Sequence, residues 1–191
     1  MTARIPPSVP LTSRHTRLRP PPVSFLHHIY ERTRCDDVPV LWNADYETPE
    51  RFVRSMYADN DAQFAIEDVR SGSLVGLISA YELDLHHGTA YVTLALLPGY
   101  RLRVWPLEAT ILFANYLFVR FNLRKLCGRS VQRDFVQLRS GADHFFDLEG
   151  VLHDHAMIDG ETQDLYLAAV DRERWLRVGK PLLDRIRAPA V

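Results

Sequence analysis

The stretch Ala90–Leu97 constrains this chain most, because it is nearly apolar on both faces, and only a strand with neighbours on each side and layers above and below tolerates that. Everything around it must therefore supply a sheet and two covering layers. Pro98-Gly99 ends the strand, and the spacing of Leu107, Ile111, Ala114 and Phe118 predicts a helix over 106–121, with Pro106 in its first turn. Lys125–Val131 reads as a further strand.

The flanking segments fit the same plan. Arg17-Leu-Arg is a short strand closed by Pro20, Pro21 and Pro22, which lack amide donors. Phe25, Leu26, Ile29 and Tyr30 recur at helical spacing from Val23 to about Arg34. Thr48-Pro49-Glu50 is a helix start, with a capping hydroxyl, a proline that needs no amide partner and an acid in the first turn; Phe52, Val53 and Met56 form its apolar stripe. Gln63–Val69 and Leu74–Leu85 read as strands joined by Arg70-Ser-Gly-Ser73, with His86-His-Gly-Thr89 as the next turn. Asp134 opens a short helix through Ser140, Gly150 begins a turn-rich segment, and Asp164–Val170 is a last apolar strand. The order is strand, two helices, a three-strand meander, helix, strand, helix, strand: an α/β arrangement with a mixed sheet.

The 191 residues suit one domain, expected over 16–178, with a leader over 1–15 and a tail over 179–191. The formal net charge of -1 leaves no global positive field to hold a nucleic-acid backbone or an anionic membrane. Cys35 and Cys127 are too few and too far apart for a disulfide framework or a zinc site. No window approaches the ~20 apolar residues of a membrane-spanning helix, and the proline-broken start is unlike a secretory signal, so a cytoplasmic protein is expected.

Leu74-Val-Gly-Leu-Ile-Ser79, then Ala90-Tyr-Val-Thr-Leu-Ala-Leu-Leu-Pro-Gly-Tyr-Arg101, then Glu108-Ala109 opening a helix, resemble the central block of the GNAT acyltransferases. Phe146-Asp-Leu-Glu-Gly150, Asp164-Leu-Tyr-Leu167 and Trp175 resemble the closing segments of the branch that acetylates ribosomal-protein N-termini. The resemblance covers residues 16–176 as an ordered series, and no single motif carries it. It implies a mostly antiparallel mixed sheet with a splay between the fourth and fifth strands. Acetyl-CoA or another acyl thioester would lie in that splay and no metal is involved; Leu94–Leu97 would line its pantetheine arm and residues 100–107 its pyrophosphate. The backbone amides of Leu96 and Leu97 would polarise the thioester carbonyl.

The pyrophosphate loop departs from the family's Arg/Gln-x-x-Gly-x-Gly/Ala pattern. With Arg101 in first position, Leu102, Val104 and Pro106 stand where small residues belong, and Pro106 removes an amide. Arg101 and Arg103 still offer charged donors, Leu107 closes the loop, and Arg129 and Arg133 are candidates to join a phosphate-reading cluster or to form solvated ion pairs. Asp134 stands where the family has asparagine beside the phosphate, and Gly141 where it has the tyrosine that reprotonates the thiolate.

An amine acceptor must lose a proton, so a base is needed near the splay. Glu82 and Asp84 are the first candidates, His144 follows, and His86 and His87 share the same hairpin end; the alternative for all of these is a solvated turn. His153 and His155 share a strand face but no third ligand is fixed by spacing, and Tyr166 is a packed aromatic or a hydroxyl at the pocket. The expected activity is direct acyl transfer to a small-molecule or peptide amine. A carrier protein becomes a partner if the donor is a phosphopantetheine arm, and a homodimer is compatible. The rival is a domain of this fold that has lost transfer and senses a ligand, docks a partner or runs another reaction.

Overall fold

The computed structural model describes residues 9, 11–33, 48–100, 104–131, 145–158 and 160–187. One seven-stranded sheet runs in the order β1-β2-β3-β4-β5-β7-β6, built from β1 (Thr16–Arg19), β2 (Ala62–Asp68), β3 (Leu74–Asp84), β4 (Thr89–Leu96), β5 (Lys125–Val131), β6 (Asp147–Ile158) and β7 (Glu161–Asp171). Every pairing is antiparallel except β4 with β5, which is parallel. The parallel step follows from the connection: α3 (Val104–Arg120) carries the chain back across the sheet before β5 begins.

Two layers cover the sheet. On one face α1 (Val23–Thr33) and α2 (Pro49–Ala58) pack Leu26, Ile29, Phe52 and Met56 against Ala65 and Leu77. Thr48 Oγ1 accepts the Arg51 amide at 3.3 Å, and Pro49 occupies the first turn, as the sequence predicts. On the other face α3 buries Ile111, Leu112, Phe113, Leu117 and Phe118 against Ile66, Ile78 and Ala90. The Ala90, Val92, Leu94 and Leu96 row of β4 joins the α3-side core, while its other row carries Tyr91, Thr93 and Ala95.

The chain ends do more than the sequence predicts. A helical turn (Arg172–Arg174) passes through a π-helical turn (Trp175–Gly179) into α4 (Lys180–Arg187), and Leu183 joins the α3 core. Within residues 11–15, Ser13 Oγ donates to the Glu108 carboxylate at 2.7 Å and the Arg14 amide donates to Ile186 O at 3.1 Å. Glu108 is 2% exposed and also meets His15 Nδ1 at 2.9 Å, so this family-like acid ties the leader to α3. Stretches of both expected extensions thus pack on the domain.

Two further expectations are corrected. The segment after Gly150, expected to be turn-rich, lies in the twelve-residue strand β6, with register shifts at Leu148/Gly150 and Leu152/Ala156. β6 is mostly exposed, so its order comes from the β7 ladder rather than from an apolar face, and no alternation marks it. α3 starts at Val104 rather than Pro106. The expected helix over 134–140 lies outside the described residues. Among those residues no helix is long and apolar enough to cross a membrane.

Candidate functional site

β4 and β5 pair only at Thr89↔Lys125, Ala90↔Leu126 and Tyr91↔Cys127. Both strands continue, β4 to Leu96 against β3 and β5 to Val131 against β7, without pairing with each other. The sheet therefore opens as a wedge whose closed end is Tyr91/Cys127. The expected splay exists; on β4 it begins after Tyr91, well before Leu97, and on β5 after Cys127, since Leu126 is still paired.

Backbone direction decides what the wedge offers. The Leu97 amide donates to Val75 O at 2.9 Å, on the β3 side. Antiparallel ladders alternate, so Ala95 and Thr93 also turn their amides and carbonyls toward β3, whereas Leu96 and Leu94 turn theirs toward the wedge. Leu97 is consequently excluded as a donor to anything in the opening, because its one N–H is committed. Leu96 remains, and Leu94 joins it about 7 Å along the strand. Leu97 instead opens a tight turn: Tyr100 N donates to Leu97 O at 3.2 Å, with Pro98 and Gly99 between them. Gly99 has φ +87°, the left-handed conformation that the third position of a Pro-Gly type II turn requires.

That turn leads to the N-terminus of α3 at the open end of the wedge. Val104 and Leu107 lie there with exposed side chains; of the first-turn residues Pro106 has no amide, and the Val104 N–H is one that the helix itself does not use. Arg101, Arg103, Arg133, Asp134, Gly141 and His144 lie outside the described residues. Arg129 does not face this loop. It lies on β5 just past the closed end, its guanidinium carbon 4.0 Å from the Tyr91 ring centroid and its Nη2 3.4 Å from Glu82 Oε2.

The hairpin end near the closed end brings Glu82 and Asp84 close in sequence but gives them different work. Between Tyr81↔Tyr91 and Asp84↔Thr89 the register shifts by one residue, and Glu82 adopts φ +50°, a left-handed conformation uncommon outside glycine. The bulge turns Glu82 toward Arg129. Asp84 Oδ1 accepts the His87 amide at 2.8 Å and Oδ2 meets His87 Nδ1 at 2.6 Å. These bonds, the backbone one foremost, hold the Asp84 carboxyl below the ordinary value of 3.8. A turn-capping carboxylate of that kind is a poor base. Since its folded value is the lower one, its contribution to stability is full above the unfolded value and fades as pH falls through the folded value. Asp84→Ala should lower the melting temperature at neutral pH, and the gap to the parent protein should close in acid; a gap independent of pH would show that the carboxylate is not the cause.

On the α1/α2 face of the sheet, three rows cross the strands. Ala65, Leu77 and Ala95 form an apolar row; Gln63, Ser79 and Thr93 form the next; Tyr81 and Tyr91, stacked at 5.7 Å, form the third beside the closed end. Their neighbours Phe64, Ile78, Val92 and Leu94 belong to the opposite, α3-side core, so alternation puts the polar row on the α1/α2 face. Ser79 Oγ and Gln63 Oε1 are buried without a hydrogen-bond partner among the described residues. Burial raises the Tyr81 hydroxyl's pKa, so it stays a neutral phenol at neutral pH. Burial likewise pushes the Cys127 thiol up.

The remaining candidates are turn and hairpin residues. His86 and His87 meet edge to face at 4.8 Å, His153 Nδ1 lies 3.1 Å from Asp164, His155 is exposed, and Tyr166 sits on β7 opposite Ser130. Among the described residues no three His, Cys, Asp or Glu side chains converge on a metal position. Sequence reasoning missed Tyr91, Tyr81 and Ser79; the signal available was the pairing of the two tyrosines across a hairpin, which needs the register.

No family model and no curated protein sequence matches this chain. Solved structures do. A chimera of the Vibrio cholerae and human spermidine N-acetyltransferases superimposes with TM-score 0.72 at 18% identity, over 85% of this chain and 99% of the other. A dodecameric spermidine N-acetyltransferase from Vibrio cholerae gives 0.70 at 20%, over 85% and 96%. A GCN5-related N-acetyltransferase from Brucella melitensis gives 0.71 at 20%, over 96% of this chain and 88% of the other. At such identities the likeness shows the fold: an α/β GNAT-like fold with a seven-stranded mixed sheet and a parallel β4–β5 step.

Proposed function

We propose that this chain transfers an acyl group from a thioester donor to an amine acceptor, directly and without a covalent enzyme intermediate. The observation that supports this best is the wedge: two adjacent strands stop pairing after Tyr91/Cys127 and leave the outward amides and carbonyls of Leu94 and Leu96 for a ligand that carries amides of its own. A pantetheine arm has that character. Phosphate belongs at the open end, at the N-terminus of α3 beginning with Val104, so the reactive carbonyl belongs toward the closed end.

A bound acyl thioester supplies an activated carbonyl. The protein's share is positional and protonic. An outward amide of Leu94 or Leu96 polarises the carbonyl oxygen. Glu82 takes one proton from the acceptor's ammonium, the freed nitrogen forms the new C–N bond as the C–S bond breaks, and the nitrogen's remaining surplus proton leaves on the thiol. Glu82→Gln should lower turnover by roughly 10²–10⁴-fold, the usual range for a general base, while the melting temperature stays near that of the parent. Unchanged turnover would remove Glu82 from this role.

The missing amide at Pro106 favours a donor with less phosphate. One lost charge-assisted contact of about 1.5–3 kcal/mol weakens a pyrophosphate by roughly ten- to a hundredfold. A carrier-borne phosphopantetheine arm has a single phosphate and suffers less. Calorimetry with acetyl-CoA, coenzyme A and 4′-phosphopantetheine separates the cases. Tight coenzyme binding restores the ordinary donor, preference for phosphopantetheine supports a carrier protein, and binding of none overturns transfer in favour of a module that has lost it.

A further inference from the structure

We infer that Arg129 selects an acceptor bearing a carboxylate a short distance from its amine, an inference that rests on the transfer reading above. Arg129 lies two residues past the last β4–β5 pair, on the same sheet face as Tyr91, where the closed end of the wedge meets the α1/α2 side. Its guanidinium lies 4.0 Å from the Tyr91 ring centroid, and the Tyr81–Tyr91 stack holds that ring in turn. An arginine seated on an aromatic ring presents a planar fork in a fixed orientation, suited to bidentate capture of a carboxylate.

The guanidinium also has a side-chain hydrogen bond with Tyr91, while its pairing with Glu82 is loose. Its polar contact among the described side-chain acids is one Nη2···Glu82 Oε2 distance of 3.4 Å, at the outer limit of a hydrogen bond, and the Glu82 side chain is 56% exposed. Glu82 reaches that position only through the left-handed bulge, a strained arrangement of the kind found where function requires it. A substrate carboxylate making two short bonds would displace Glu82, and the displaced carboxylate would then be free to take the ammonium proton. Binding of the right acceptor thereby releases the base.

A second observation lies one step along the sheet. Among the described residues Ser79 Oγ, on a residue 0% exposed, and Gln63 Oε1 have no hydrogen-bond partner, and their row is about 7 Å from the Tyr81/Tyr91 row. Buried, partnerless oxygens are costly unless something donates to them, and an ammonium or amide N–H does so. Donor fork and acceptor oxygens together match a zwitterion. They do not match a polyamine, which would meet a guanidinium with its nearest carboxylate already engaged.

The test uses the full chain and a ladder of ω-amino acids from glycine to 6-aminohexanoate, each beside its own primary carboxamide, with spermidine and n-butylamine as cationic controls. Equilibrium binding is read by calorimetry, independently of turnover, and KM is read in parallel with whichever thioester binds. At one or two chain lengths the carboxylate should bind at least tenfold more tightly than its carboxamide. Arg129→Ala should bring that ratio near one, and Arg129→Lys should restore part of it. A parent protein that prefers a carboxamide or spermidine, that binds no member of the ladder, or whose carboxylate preference survives Arg129→Ala overturns the assignment. The parent's own ratio decides even if a variant fails to fold. Failure of thioester binding strikes the transfer reading instead, and the two failures are read in separate titrations.

Discussion

Gly128→Val is expected to leave the protein folded and to abolish useful binding of the thioester donor. Gly128 is the first β5 residue past the closed end of the wedge, and a Cβ built there would meet only Val92 O, at 3.9 Å. Its backbone is not left-handed, so a side chain brings no conformational strain. Glycine inside a strand costs roughly 0.5–1 kcal/mol relative to alanine, and a β-branched residue suits the pleat, so the melting temperature should hold or rise. By alternation with Cys127 and Arg129 the new side chain stands on the α3-side face, at the edge of the opening that the pantetheine arm would occupy. A loss of about a hundredfold in affinity, ~2.7 kcal/mol, is the expected outcome in calorimetry against acetyl-CoA and phosphopantetheine. Unchanged affinity with intact folding would place the donor elsewhere. No other substitution separates site from fold so cleanly, because Gly128 bounds the wedge without packing in the core.

Gly179→Ala should have the opposite signature, a large loss of stability. A Cβ at Gly179 would collide with Cε3 and Cζ3 of Trp175 and come within 2.9 Å of Phe145 Cε2. Trp175 is 3% exposed and packs on Phe118 at 5.8 Å and Phe145 at 5.9 Å between ring centroids, so it has nowhere to retreat. Overpacking of this kind costs about 1–3 kcal/mol and occasionally more. For a chain of this size each kcal/mol lowers the melting temperature by roughly 2–4 °C, so a drop of about 3–10 °C is expected in a thermal scan. A shift under about 1 °C would mean that the π-helical turn relaxes around the methyl. Donor affinity at a temperature where both proteins are folded should be retained, since Trp175 lies on the α3 side of the sheet with α4 and not in the wedge.

Much of the architecture was legible because it follows from local chemistry and burial. Thr48 and Pro49 start a helix wherever the chain permits one, and they do so here. The double-sided apolar run of β4 demands a central strand, and the sheet order puts it fourth of seven. β6 was not legible, because a strand exposed on both faces has no apolar period to read. Leu97 could be drawn into the site from sequence only by counting along a motif. Its exclusion depends on which way one N–H points, which is a property of the β3 register.

What the sequence by itself determined is most of the elements and their order, β6 and α4 excepted, since hydrophobic period, caps and turns act over a few residues. What only the tertiary structure decided is the site. Where β4 and β5 part, which β4 amides face the gap, that a bulge swings Glu82 onto Arg129, and that Arg129 lies on Tyr91 rather than beside the α3 loop all depend on pairing between segments distant in the chain. A one-residue change in register reverses every side chain and every amide along a strand. Such long-range choices are made by the summed packing of two layers on one sheet, and no window of sequence contains that sum.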